Sequence, residues 1–373
     1  MRVVAKIGTA SVTDDRGQIS TVAIAKLVDE VADLRTTGHE VIVVSSGAVA
    51  AGVAALGMTA RPSDMRTLQA VSAVGQARLV QAYDRELGRH GLVGAQLLVD
   101  PYDFVERSQY LHLRATLDRL IELGTVPIVN ENDAIANDEL RYGDNDRIAA
   151  LLANSVRADV LVLLTDMDGV YTADPRRDES AALIPYVRAD DPLLSIAAGA
   201  GGSGRGSGGM ASKLTAARMA SWSGIRCVIG RASRDGVVAG AVSDELIGTT
   251  FAPHDRTLSA RKLWIAFAAD IAGSVRVDAG ARTALVNRPT SLLPAGVTAV
   301  EGDFARGEVV DIVDPDGVVF ARGRVSVTST QLAGVTGRRT TDLPDGMVDE
   351  VVHRDDLVVR EPVTPVGARF GQR

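Results

Sequence analysis

EVIVVSSGAVAAGVAAL, residues 40–56, begins as an apolar run rich in β-branched residues and passes, through two serines and a glycine, into small helix-forming residues. An apolar run without polar alternation reads as a strand buried on both faces, and a helix that starts at its end makes a strand-helix unit. The pattern recurs along the chain. Strand candidates fall at 2–7, 40–45, 92–99, 125–130, 160–165 and 226–230, with helix candidates near 21–36, 46–56, 72–88, 106–122, 146–157 and 212–223. Alternation of this kind predicts an α/β fold, a three-layer sandwich whose largely parallel sheet is covered by helices on both faces. Such sheets bind ligands at the C-terminal ends of their strands.

Residues 1–255 are read as this α/β domain, followed by a polar connector at 256–272 that contains APHDRTLSARKL in part. From 273 to 360 the texture changes to short strand candidates such as SVRVD, EVVDIVD and VVFARGRV, broken by glycine, proline and a DPDG turn, which predicts a small β-barrel of its own. The tail, 361–373, is expected to be disordered.

Three sites stand out at strand and helix ends. Lys6 in VVAKIGTA closes the first strand beside Gly8, Ser46 follows the second, and Lys213 in GRGSGGMASKL lies one turn into a helix opened by Gly208-Gly209. Backbone N–H groups and ammonium groups can both reach a polyphosphate there. Lys6 also reads as a snorkelling lysine, and Ser46 as an N-cap, a role that itself leaves N–H groups for a substrate carboxylate. After the strand TVPIV comes NENDAIANDELRYGDND, residues 130–146, with six carboxylates and four asparagines around a single Arg141. A solvated acidic loop is one reading; recognition of an ammonium group, Mg²⁺ binding or the locking of two lysines is the other. Thr165-Asp166 end a further strand and are placed to contact a nucleotide.

Other chemistries fit less well. Neither lysine sits in G-x-x-x-x-G-K-[ST], so this is no Walker A loop. Gly204, Gly206 and Gly209 match G-x-G-x-x-G, but the small-residue stretch LLSIAAGAGGS before them is not the strand that a dinucleotide fingerprint requires. His353-Arg354-Asp355 lies far from any glycine loop. The lone Cys227 reads as a buried hydrophobe, and the five histidines show no ligand spacing. A net charge of −7 and, between Ser274 and Arg360, ten arginines against thirteen carboxylates argue against nucleic acid. No signal or membrane-spanning stretch is evident, so a cytoplasmic protein is expected.

In order, VVAKIGTA, VVSSGAVAAG, AVGQARL, VPIVNENDAIA, GDND, LLTDMDGVYTADPR and GSGGMASK resemble the glutamate 5-kinase branch of the amino-acid kinase family, and SLLPAGV with GDFARGEVV resembles its C-terminal PUA domain. The resemblance implies ATP-dependent phosphorylation of the γ-carboxylate of L-glutamate, with ATP and Mg²⁺ as cofactors, proline as feedback inhibitor, a homo-oligomer (dimer or tetramer) and contact with a glutamyl phosphate reductase. It assigns catalysis to Lys6, Lys213 and Asp146. Glutamate would be held by Ser46, Asn130, Asp133, Asp144 and Asn145, and ATP by Lys6, Thr165, Asp166 and the segment Ser207, Gly208, Gly209, Met210, Ala211, Ser212 and Lys213. Metal ligands are not assigned. An aspartate or N-acetylglutamate kinase, or an RNA-binding protein acting through its PUA-like part, are the alternatives.

Overall fold

The computed structural model describes residues 1–14, 16–135, 144–189, 191, 209–255, 257–344 and 349–359, so the expectations at Ser207, Gly208 and the tail lie outside the described residues. The chain divides into two compact units, Met1–Ala260 and Arg261–Arg373.

The first unit is built on strands β1 (Arg2–Ile7), β2 (Glu40–Ser45), β3 (Gly94–Val99), β4 (Val126–Glu131), β5 (Val160–Thr165), β6 (Tyr186–Val187), β7 (Arg226–Arg231) and β8 (Thr249–Phe251). They form one sheet in the order β3-β4-β2-β1-β5-β7-β8-β6. Every pairing is parallel except that of β7 with β8. β1, β4 and β5 owe their central places to Val, Ile and Leu runs buried almost throughout. Helices α1 (Thr9–Val12), α2 (Thr21–Thr36), α3 (Ala48–Ala55), α4 (Met65–Gly88), α5 (Arg107–Glu122) and α6 (Asn145–Ser155) connect them, with later helices at Met210–Ser221 and Val237–Val242.

Side chains alternate across the sheet, and the two layers follow from that period. Val3, Ala5 and Ile7 of β1 pack with Ile24, Val28 and Val31 of α2, Leu79 and Tyr83 of α4, and Val238. Lys6 therefore faces the opposite layer, where α6 packs against β1 and against the Met210–Ser221 helix. Register then sets the site's height. Ile7 pairs with Ser45 and Leu164, Val44 with Val129, and Thr165 with Arg231, so the ends of β1, β2, β4, β5 and β7 share one rim.

The second unit carries strands β9 (Ile271–Val277), β10 (Val297–Gly302), β11 (Val309–Val313), β12 (Val319–Val325) and β13 (Val352–Val359) in the order β10-β9-β11-β12-β13. A bridge from Leu292, just ahead of β10, to Val352 draws the two edge strands of that order together. Val275, Ile312, Phe320, Leu332 and Val352 belong to its own core. The stretch read as a polar connector also contains Leu263, Trp264 and Ile265, all buried. Among the described residues no helix is long and apolar enough to cross a membrane.

Candidate active site

Four helices start at the shared rim. Gly8 precedes α1, Gly47 precedes α3, Asp144 caps α6 and Gly209 caps the Met210–Ser221 helix. Each start adds N–H groups without intrahelical partners and the positive end of a helix dipole, which makes the rim attractive to anions. The N-cap of α3 is Gly47, and its φ of 107° is a left-handed value that disfavours any side chain. Ser46 consequently stands one residue ahead of the cap, and its hydroxyl is used elsewhere.

The centre of the site is one carboxylate between two lysines. Lys6 Nζ lies 2.6 Å from Asp146 Oδ1, and Lys213 Nζ lies 3.1 Å from Asp146 Oδ2. All three are buried, with 3% of Lys6, 1% of Asp146 and 4% of Lys213 exposed. Burial alone would raise the Asp146 carboxyl, but Lys6 and Lys213 overturn it and hold the group below its usual range. Burial lowers the Lys6 ammonium, and repulsion from Lys213 works in the same direction against the pull of Asp146. The charge of Asp144 also acts on Lys6, so the ammonium groups sit in a nearly dry place where buried charge is tolerated because carboxylates meet it.

Asp144, two residues before Asp146, plays a different part. It caps α6 by accepting from Arg147 N at 3.2 Å, pairs with Arg147 Nε at 2.8 Å and accepts from the Ser212 hydroxyl. It thus ties the start of α6 to the first turn of the Met210–Ser221 helix, the turn that delivers Lys213. Burial raises this carboxyl, with Arg147 and Ser212 opposing.

Beside this cluster lies an amide network. Asn145 Nδ2 donates to Ser46 Oγ at 3.1 Å and to Asn130 Oδ1 at 3.0 Å, and Asn130 Nδ2 donates to Gln76 Oε1 at 2.7 Å. Asp133 accepts from Ser72 Oγ at 3.3 Å. It borders a cleft of about 310 Å³ lined by Ser72, Gln76, Gln96, Glu131 and Asn132 as well. Burial lifts its carboxyl to about 6, against Ser72 and the charge of Arg61.

On the other side of Lys6, Thr165 ends β5 with its hydroxyl on Asp166 Oδ1 at 3.0 Å. Arg231 at the end of β7 grips Asp168 through Nε at 2.6 Å and Nη2 at 3.0 Å, and Tyr171 donates to the same carboxylate at 3.1 Å. The described site residues expected from sequence thus separate into three groups: the Lys6, Asp146 and Lys213 cluster with Asp144 and the 209–212 turn beside it, the amide and carboxylate side at Ser46, Asn130, Asp133 and Asn145, and the strand ends at Thr165 and Asp166. Gln76, Ser72 and Arg147 were not expected. Gln76 does stand in AVGQARL, but a glutamine four residues from a serine on a helix carries no chemical signature until β4 is placed against it.

No group of three or more His, Cys, Asp or Glu side chains among the described residues could hold a metal ion. Both oxygens of Asp146 already face lysines, so this carboxylate is committed to the two ammonium groups.

Comparison with known proteins agrees with this geometry. Residues 1–231 match the Amino acid kinase family and residues 273–347 the PUA domain. The chain is 46% identical over 363 residues to a glutamate 5-kinase of Myxococcus xanthus, with 96% of each chain covered. It is 44% identical over 356 residues to that of Mycobacterium ulcerans, covering 95% of this chain and 96% of the relative. With that of Ectopseudomonas mendocina it shares 46% over 362 residues, 96% and 97% covered. The chain belongs to the amino acid kinase family, on its glutamate 5-kinase branch.

Proposed function

We propose that the chain transfers the γ-phosphoryl group of ATP to the γ-carboxylate of L-glutamate, giving L-glutamyl 5-phosphate, the first step of proline biosynthesis. The observation that carries this reading is the pair of buried lysines sharing Asp146 at the rim of the sheet. A carboxylate and a γ-phosphate repel each other. Bringing them into line needs cations and N–H dipoles on every side, and little else. A carboxylate oxygen bonds to the γ-phosphorus as the bond to the β,γ-bridging oxygen breaks; ADP takes that electron pair, and no proton has to move. Lys6 and Lys213 stand by the charge that spreads over the transferred group, and Asp146 keeps the two ammonium groups aimed and apart.

Glutamate is held in this scheme on the Ser46, Asn130, Asp133, Asp144 and Asn145 side, with Asp133 facing the ammonium group. ATP lies on the side of Thr165, Asp166 and the 207–213 segment, where the Gly209 helix start receives its phosphates. Mg²⁺ bound to the nucleotide would add positive charge beside Lys6 and Lys213. Residues 1–255 suffice for this chemistry, and 273–360 serve regulation or assembly. Proline, which also sets an ammonium beside a carboxylate, competes for the glutamate side. A homo-oligomer in the cytoplasm, handing its reactive acyl phosphate to a reductase, completes the reading.

A panel of L-glutamate, L-aspartate and N-acetyl-L-glutamate with ATP tests it, with ADP release measured alongside trapping of the acyl phosphate by hydroxylamine. Glutamate is expected to dominate, because an acetylated amine has no charge for Asp133. Equal or better turnover of either rival would end the glutamate assignment while leaving the phosphoryl-transfer chemistry in place.

A further inference from the structure

The side-chain hydrogen bonds among Gln76, Asn130, Asn145 and Ser46 have a direction, and the backbone fixes it. The N–H of Glu131 can only donate, and it points at Asn130 Oδ1 at 2.9 Å and at Asn145 Oδ1 at 3.2 Å. Both amide oxygens are located by that one donor. The NH₂ of Asn145 then spends its two hydrogens on Asn130 Oδ1 and Ser46 Oγ, and the NH₂ of Asn130 reaches Gln76 Oε1. Ser46, having accepted from Asn145, keeps its own O–H for a further acceptor. Asn130 and Asn145 are 1% and 3% exposed, so an amide reversed at either would set like groups against each other in a buried place.

We propose that Gln76 is a positioning residue: by accepting from Asn130 Nδ2 it holds Asn130 in the orientation that the Glu131 N–H selects, and so keeps the Ser46 hydroxyl, at the end of this relay, a donor for a carboxylate of the bound amino acid. The placement of Gln76 is itself built in. Cβ atoms added at Gly52 and Gly75 would come within 1.9 Å of Val71 O and 1.8 Å of Ala48 O, so only glycine lets α3 and α4 approach closely enough to bring Gln76 to Asn130. The inference rests on the glutamate reading for the identity of the carboxylate.

The test uses the full chain, with steady-state kinetics and calorimetric glutamate binding on Gln76→Met, Gln76→Glu, Ser46→Ala and the Gln76→Met/Ser46→Ala double variant. Gln76→Met removes the acceptor at nearly constant shape and is expected to raise the glutamate KM by about tenfold or more while the ATP KM stays within about twofold. Gln76→Glu keeps an acceptor and restores most of that loss. In the Ser46→Ala background the methionine change adds little, because the relay no longer ends on a hydroxyl. A Gln76→Met enzyme that only melts earlier, equal damage from glutamate and methionine, or additive losses in the double variant would each overturn the relay. Should the methionine variant fail to fold, Gln76→Glu decides alone: retained glutamate affinity supports the relay, and a tenfold loss rejects it. An inert wild type would remove the glutamate reading, whereas an active wild type indifferent to Gln76→Met removes the relay alone.

Discussion

Asp146 meets Lys6 with one oxygen and Lys213 with the other, and this makes the three residues unequal to mutation. Removing Lys213 leaves a neutral buried pair; removing Asp146 leaves two buried cations facing each other. Lys213→Ala is therefore expected to fold and to lose about 10²-fold or more in kcat, the scale of one preorganised stabilising group. Asp146→Ala should cost stability on the order of 3–5 kcal/mol as well, because it strands buried charge. Thermal melts beside single-turnover rates separate the two, and a folded Lys213→Ala enzyme with near-normal kcat would end the lysine's catalytic role. Asp133 offers a pH test. Its folded value, about 6, stands above the ordinary carboxylate value, so folding favours its protonated form and stability declines as pH rises through that interval. Asp133→Asn should stabilise the ligand-free protein at pH 7.5 by on the order of 1–3 kcal/mol, a gain that shrinks towards pH 4. The same variant should raise the glutamate KM and weaken proline inhibition, with the ATP KM little changed. A large ATP defect with glutamate KM untouched would reverse the division of the site. Lys6 and Lys213 stood out in the sequence because a charged residue at the end of an apolar strand, or just inside a glycine-opened helix, needs a reason; Asp146 was singled out only by the family resemblance. The partners of Asp144 were not, since Arg147 and Ser212 gain meaning only when two helix starts meet.

At the scale of elements, the central strands stood out because they are buried on both faces and so lack polar alternation. β6 and β8 did not, for Tyr186–Val187 and Thr249–Phe251 are too short to show a period. α4 shows how capping chemistry overrides a periodicity estimate: the spacing predicts a start near 72, but Asp64 accepts from Thr67 N and opens the helix at Met65. α3 and α4 meet through glycines, and the contact yields a prediction about function as much as stability. Gly75→Ala would place a methyl group 1.8 Å from Ala48 O, against backbone that cannot rotate away. The helices must separate, at a cost of about 1–3 kcal/mol or more, and Gln76 moves with them. A melting temperature unchanged by Gly75→Ala would show that the helices are not held at this distance; a lowered one with a raised glutamate KM would tie the packing to the amide relay.

The described residues of the candidate site all fall in the first of the two units. Every described residue placed in the candidate site lies at or before Arg231, and of the two core clusters the members of one end at Ile247 and those of the other begin at Val275. Residues as late as Leu258 still belong to the first unit, since its N–H donates to Trp222 O and its carbonyl accepts from Asn154 Nδ2. Trp264 and Ile265, by contrast, are buried in the second unit's share of the chain. The physical boundary therefore falls after Ala260, and a chain ending there keeps both of those hydrogen bonds while shedding no member of the first core. Met1–Ala260 is expected to fold with a cooperative thermal transition and to retain glutamate-dependent ATP consumption, because nothing in the proposed chemistry draws on residues beyond it. What it stands to lose is response to proline or self-association, readable from inhibition curves and sedimentation beside the full chain. A soluble, cooperatively melting Met1–Ala260 without any glutamate-dependent turnover would show that the second unit supplies something the site needs.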